Sequence, residues 1–338
     1  MGKIISVEKL NKTFKFKVKS TGFSNSIRSL IKPVYKTVYA VNNISFDVSE
    51  GELLGFIGPN GAGKSTTIKI LTGILYPTSG KATVCGIIPW EQRQKLAFQI
   101  GSVFGQRPQL WYHLPALETF NLFSKIYELD RNKYKNKLNW LIDKFQIKEY
   151  LNTPVRKLSL GQRMRCEVVA SLIHSPEVIF LDEPTIGLDV VAKQEIRNTI
   201  KEINKEEGTT IFLTSHDVGD IEKVTKRTII INNGEIIFDG ETRILRWDFL
   251  HSKIISVKFK KDNIKKIDLD GVKILKQSDL GTKLEVDTSV MEIETVLKFI
   301  LQKHKIADIN INDPPLEDII AYIYKEKNAP KSRSNTIK

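Results

Sequence analysis

Leu53-Leu54-Gly55-Phe56-Ile57-Gly58-Pro59-Asn60-Gly61-Ala62-Gly63-Lys64-Ser65-Thr66 is the stretch that decides the fold. It begins as a short apolar run, read as a buried strand, and ends in a helical pattern that opens at Lys64 and runs to about Gly73. Between the two, Gly58 to Ser65 fits the P-loop pattern GxxxxGK[ST]. Its glycines let the backbone curl so that successive N–H groups face one phosphate. Lys64 then reaches the outer phosphates and the Ser65 hydroxyl a magnesium ion. The helix N-terminus contributes the positive end of its dipole. A glycine turn of purely structural use is the alternative, and the strand and helix flanking the turn argue against it.

Working outward, apolar runs at Val178-Ile179-Phe180-Leu181, Thr210-Ile211-Phe212-Leu213-Thr214 and Thr228-Ile229-Ile230-Ile231 read as further buried strands. Helical segments separate them, for example 190–207, which stops at Gly208. Alternation of this kind predicts an α/β fold with a mostly parallel sheet and helices on both faces. Residues 4–10 and 38–48 alternate like half-buried strands. Residues 120–150, rich in Lys, Leu and Tyr, predict a separate helical layer. After Gly240 the character changes. Short strands at 254–260, 272–277, 283–287 and 306–311 and an amphipathic helix at 289–304 predict a small α+β domain over 245–325. That helix places Val290, Ile293, Leu297, Ile300 and Leu301 on one face. Pro314-Pro315 precedes a last short helix, and the polar, basic residues 327–338 read as disordered.

Two more motifs carry chemistry. Leu181-Asp182-Glu183 ends an apolar run, the form of a Walker B strand: Asp182 would hold Mg²⁺, and Glu183 would orient the attacking water. Leu158-Ser159-Leu160-Gly161-Gln162-Arg163 would in isolation be a helix N-cap. It closely resembles the LSGGQ signature of ATP-binding cassette (ABC) ATPases, with Leu160 where the first glycine usually stands and with Ser159 and Gly161 retained. Its place between P-loop and Walker B strand matches the order in that family.

The resemblance covers about residues 4–240, and residues 1–240 are read as a P-loop NTPase cassette with a mixed sheet core and a helical subdomain. It implies roles for further residues. Gln106 matches the Q-loop glutamine, sensing Mg²⁺ and facing a membrane partner. Asp189, in Gly187-Leu188-Asp189, matches the D-loop at a dimer interface, and His216 the switch histidine of the γ-phosphate. Tyr35 matches the aromatic residue that stacks on adenine, with Tyr39 its rival. The nucleotide site is thus expected to comprise Tyr35, Gly58, Pro59, Asn60, Gly61, Ala62, Gly63, Lys64, Ser65 and Thr66, closed by Ser159, Gly161, Gln162 and Asp189. Glu183, His216 and Gln106 serve hydrolysis, and Ser65, Gln106 and Asp182 serve the metal. ATP and Mg²⁺ are the implied cofactors. A second copy of the chain, or a paralogous ATPase subunit, and a multi-spanning permease at the cytoplasmic face of the membrane are the implied partners. The sequence around the motifs resembles bacterial multidrug, polysaccharide and sodium-type exporter ATPases, so export is expected over import.

Composition bounds the rest. The 338 residues are 41% hydrophobic and 27% charged, enough apolar content for packed cores in two domains. Only Cys85 and Cys166 are present, too few for a disulfide scaffold. Lys and Arg total 52 against 39 Asp and Glu, a net of +13, which raises the prospect of nucleic acid. Repair-type ABC ATPases carry a long coiled coil between P-loop and signature; here Lys64 and Ser159 are 95 positions apart without sustained heptads. Translation-associated ABC proteins carry two cassettes, and this chain has one P-loop and one signature. No nucleic acid is therefore expected. Part of the charge sits in residues 15–36, where Lys15, Lys17, Lys19, Arg28, Lys32 and Lys36 stand with no acidic residue. Phe23, Ile27, Leu30, Ile31 and Val34 there follow helical spacing. The segment is either a basic amphipathic helix for an anionic lipid surface or the permease, or a surface hairpin with solvated lysines.

Overall fold

Residues 2–17, 35–105, 108–244, 252–260, 269–278 and 281–314 are described by the computed structural model of the protein. Two compact units divide the chain, Met1–Gly240 and Glu241–Lys338. In the first, β1 (Lys3–Lys17) and β2 (Tyr35–Ser49) form a long antiparallel ribbon. After β3 (Leu53–Ile57) and α1 (Lys64–Leu71), β4 (Ser79–Val84) adds to the other edge of β1. The chain then continues through α2 (Arg93–Ala97), β5 (Ile100–Phe104), and two helices of the predicted helical layer, α3 (Ala116–Ile126) and α4 (Arg131–Phe145). It returns through α5 (Leu160–Leu172), β6 (Val178–Asp182), α6 (Val190–Glu207), β7 (Thr210–Ser215), α7 (Val218–Glu222), β8 (Arg227–Asn232) and β9 (Glu235–Glu241).

A six-stranded sheet in the order β5-β6-β7-β3-β8-β9 forms the centre, with its first five strands parallel. Parallel strands lie buried on both faces, which is why their sequences read as unbroken apolar runs. Phe46 from the ribbon meets Phe56 and Phe212 from the central sheet, with ring centroids 5.8 and 6.1 Å apart, so the core fills the gap between the two sheets. Register sets Ile57 beside Ser215 and Asp182 beside Thr214. The loops that follow β3, β6 and β7 therefore leave one sheet edge side by side, where ligands of open α/β sheets bind.

The second unit is an antiparallel sheet in the order β11-β12-β10-β13, from β10 (Ser252–Phe259), β11 (Val272–Ser278), β12 (Gly281–Asp287) and β13 (Ile306–Asn312), with α8 (Ile293–Lys303) between β12 and β13 in sequence. Its core joins Ile255, Val257, Leu284 and Val286 to Val296 and Ile300 of the helix. The helix starts later than the apolar pattern suggested, because Ser289 N–H donates to the Asp287 carboxylate in a turn. Val290 and Leu301, expected on the apolar face, are exposed, and Val296 takes the buried place.

The basic stretch is also partly corrected. Lys15, Lys17 and Lys36 belong to the ribbon, where Lys15 pairs with Thr37 and Phe16 with Lys36. The helix expected at 23–34, the last helix after Pro315 and the tail 327–338 lie outside the described residues. No helix among the described residues is long and apolar enough to cross a membrane.

Candidate functional site

The loop after β3 adopts two left-handed glycines, Gly61 (φ 82°) and Gly63 (φ 113°). A side chain at Gly63 would collide with the Ala40 carbonyl, its Cβ 2.4 Å from that oxygen. The P-loop therefore lies directly under β2 at Ala40. Thr67 ties the first turn of α1 back to the Gly63 carbonyl at 3.0 Å. Lys64 curls back over the loop: its Nζ donates to Gly58 O at 2.6 Å and lies 3.3 Å from Glu183 Oε1. A lysine only 5% exposed is held here by carbonyls and one carboxylate, in reach of a phosphate that would replace them.

Asp182 closes β6 and accepts a hydrogen bond from Thr214 Oγ1 at 2.7 Å, which fixes the carboxylate against the neighbouring strand. Glu183 follows in a left-handed backbone (φ 55°), uncommon for a residue with a side chain. That twist turns its carboxylate toward both Lys64 and His216, whose Nδ1 lies 3.0 Å from Glu183 Oε2. Pro59, Asn60, Gly61, Ala62, Gly63, Lys64, Ser65 and Thr66 line an open cavity of about 350 Å³ with Ala40, Phe104, Gly105, Asp182 and Glu183. Gly58 supports it from beneath, its carbonyl on Lys64 and the space for a Cβ taken by the Ile231 carbonyl at 2.4 Å. Phosphates fit such a cavity, walled by a cation and backbone N–H groups. Ser65 and Asp182 at its rim suit a hard cation that also takes phosphate oxygens. Among the described residues no three His, Cys, Asp or Glu side chains form a metal cage of their own.

Ser159, Gly161 and Gln162 stand elsewhere on the surface. Ser159 caps α5 in a reciprocal box, accepting from Gln162 N–H at 3.2 Å while Gln162 Oε1 accepts from Ser159 N–H at 2.9 Å. Leu160, the departure from the family pattern, approaches Gly187, where an added Cβ would lie 3.0 Å from it. Asp189 caps α6, accepting from Val191 and Ala192 N–H at 2.9 Å. None of the described residues that line the cavity comes from the signature. Gln106 lies outside the described residues.

The structure does not bring Tyr35 to the P-loop. It pairs with Lys17 at the far end of the ribbon, five positions from Ala40, roughly 16 Å along a strand. Tyr39 directly precedes Ala40 and pairs with Thr13, whereas Phe14 pairs with Val38 and so faces the opposite side of the ribbon from Tyr39. Ala40, which lines the cavity, was missed in the sequence, where no local pattern marks it.

The helical layer shows one further organised surface. Trp111, Tyr112 and Leu114 are exposed, while Trp90 packs against the main core. Tyr112 O accepts from Arg156 N–H and Leu114 O from Val155 N–H, which braces the exposed strip against the approach to the signature.

Comparison with known proteins bears on this geometry. The family model described as "ABC transporter" matches residues 41–186. The ABC transporter ATP-binding protein NatA of Bacillus subtilis is 33% identical over 205 residues, covering 61% of this chain and 83% of NatA. The linearmycin resistance ATP-binding protein LnrL of the same organism is 35% identical over 210 residues, 62% of this chain and 67% of LnrL. Among solved structures, a dimeric post-hydrolysis state of an ATP-binding cassette bound to ADP and Pi is similar in fold, with TM-score 0.58 at 24% identity, covering 71% of this chain and 99% of that one.

Proposed function

The chain belongs to the ABC transporter family and is an ATP-hydrolysing subunit, and from that premise we propose that two copies close around two ATP molecules to drive a separate membrane permease outward. The observation that carries this reading is the incompleteness of the cavity. Lys64, Asp182 and Glu183 line the cavity, with His216 against Glu183, while Ser159 and Gly161 do not line it. A second copy, or a paralogous subunit, supplies the missing wall, and the dimeric state of the cassette bound to ADP and Pi supports that use.

Within the closed site Lys64 exchanges its carbonyl and carboxylate partners for phosphate oxygens. Glu183, released from Lys64, accepts a proton from the attacking water, and His216 holds Glu183 in place and faces the γ-phosphate. Mg²⁺, held by Ser65, Asp182 and Gln106, would neutralise the phosphates when bound. Adenine stacks on Tyr39, beside Ala40, in place of Tyr35.

LnrL is named for linearmycin resistance, a task served by moving a compound out, and this supports export. Peripheral attachment at the cytoplasmic face, through the permease, follows from the same reading. The exposed strip Trp111-Tyr112 supports a contact there. The ribbon bears Lys15, Lys17 and Lys36 beside exposed Phe16, which supports a supplementary attraction to anionic lipid.

Glu183→Gln in the purified chain tests the reading. Removing the base while keeping its shape lowers turnover by a factor on the order of 10² and leaves a long-lived ATP-bound dimer in light scattering. Near-normal turnover by that variant sinks the assignment.

A further inference from the structure

Glu167 lies in the middle of α5, only 4% exposed, and no salt bridge to it is formed among the described residues. Its carboxylate accepts two backbone N–H groups, Gln109 on Oε2 at 3.1 Å and Leu110 on Oε1 at 3.4 Å. The Gln109 side chain answers by donating to Glu167 O at 3.1 Å. Burial pushes this carboxyl above its ordinary value, and the two backbone donors offset only part of that rise. A buried carboxylate is costly, and these hydrogen bonds are what it obtains in return. They join two surfaces. Eight positions earlier, α5 begins at the signature cap Ser159. One position after Leu110, the chain presents exposed Trp111 and Tyr112.

We propose that Glu167 is a positioning residue that clamps the Gln109–Leu110 backbone to the signature helix, so that Trp111 and Tyr112 move as one body with Ser159 when ATP is sandwiched. This rests on the dimeric ATPase reading above. A charge is required for the clamp. A glutamine at 167 has one accepting oxygen, and its NH₂ would face a backbone N–H, donor against donor.

Hydrogen exchange of the full-length chain tests it, with Glu183→Gln as the background that holds ATP. In that background Mg·ATP slows exchange both at the signature, residues 159–163, and at 109–112. Adding Glu167→Gln speeds exchange at 109–112 by about tenfold and removes its response to ATP, while the signature still responds. In the otherwise unaltered chain, Glu167→Gln lowers kcat several-fold with the KM for ATP unchanged. Gln109→Ala, which keeps both backbone donors, shows the smaller change in each readout. Unchanged exchange at 109–112 in Glu167→Gln overturns the clamp. So does a parallel loss of protection in the P-loop with a raised KM, since that marks a general packing residue. If the signature itself fails to respond to ATP in the background, it is the dimer reading that falls; the tenfold change in basal exchange still reads the clamp.

Discussion

At the residue scale the site is a set of contacts made ready to be exchanged. Lys64 is nearly buried, yet its partners are two carbonyls and the carboxylate of Glu183 at 3.3 Å. A phosphate offers more charge than any of these, so the lysine's energy is spent on the nucleotide. Charge-assisted hydrogen bonds contribute about 1.5–3 kcal/mol, and Lys64→Ala is therefore expected to weaken ATP binding by a factor of about 10–100. Equilibrium titration with a fluorescent ATP analogue measures it, and an affinity equal to that of the parent removes Lys64 from the site. The aromatic ribbon gives a second expectation. Stacking on a base contributes about 1–3 kcal/mol, so Tyr39→Ala weakens the same titration, while Tyr35→Ala leaves it unchanged. Should Tyr35→Ala prove the damaging change, the rung beside Ala40 is not the adenine platform.

At the element scale, the ends of β6 and β7 are braced from behind. Asp220 in α7 takes Arg197 Nη1 of α6 at 2.7 Å and Thr185 Oγ1 at 2.5 Å, with Arg197 and Asp220 both buried. Thr185 lies two residues past Glu183, and Asp220 four past His216, so one carboxylate ties both catalytic loops to α6. Removing one partner of a buried ion pair costs about 3–5 kcal/mol because the other charge stays behind. Asp220→Ala is thus expected to lower stability by that amount in urea unfolding; a loss under about 1 kcal/mol would mean that water or Gln194, which already accepts from Arg197, satisfies the guanidinium. Elements such as these divide into the legible and the hidden. Lys64, Asp182, Glu183 and His216 were legible because each follows its own apolar run, and parallel strands bring such ends together without further information. Asp220 and Glu167 were not, since their partners stand 23 to 58 positions away and no local pattern marks them. Tyr35 misled for a related reason. Irregular register between Lys12 and Thr13 and the long ribbon decide which rung passes the P-loop. The helix of the second unit was legible in existence and not in phase, because a turn held by Asp287 delays its start.

At the scale of the whole molecule, the described residues show a core cluster within each unit. The main cluster runs from Ile4 to Ile231 and joins ribbon, central sheet and α1. The second runs from Ile255 to Ile300, closed by Val296 and Ile300 against its own sheet. All of the P-loop, Asp182, Glu183, His216 and the signature belong to the first unit, as do both of its sheets. A unit of 240 residues buries enough apolar surface to fold alone, since domains of about 50–250 residues ordinarily do. A chain ending at Gly240 is therefore expected to unfold cooperatively and to bind ATP with an affinity within about threefold of the full chain, a difference under about 1 kcal/mol. The comparison isolates what the second unit contributes. If the truncated chain binds ATP as the parent does but forms the ATP-bound dimer less readily in the Glu183→Gln background, the second unit acts on association between copies. If dimer and turnover are both unchanged, its use lies with another partner. A truncated chain that is folded by circular dichroism and yet fails to bind ATP would show that residues beyond Gly240 complete the nucleotide site, against every contact described for it.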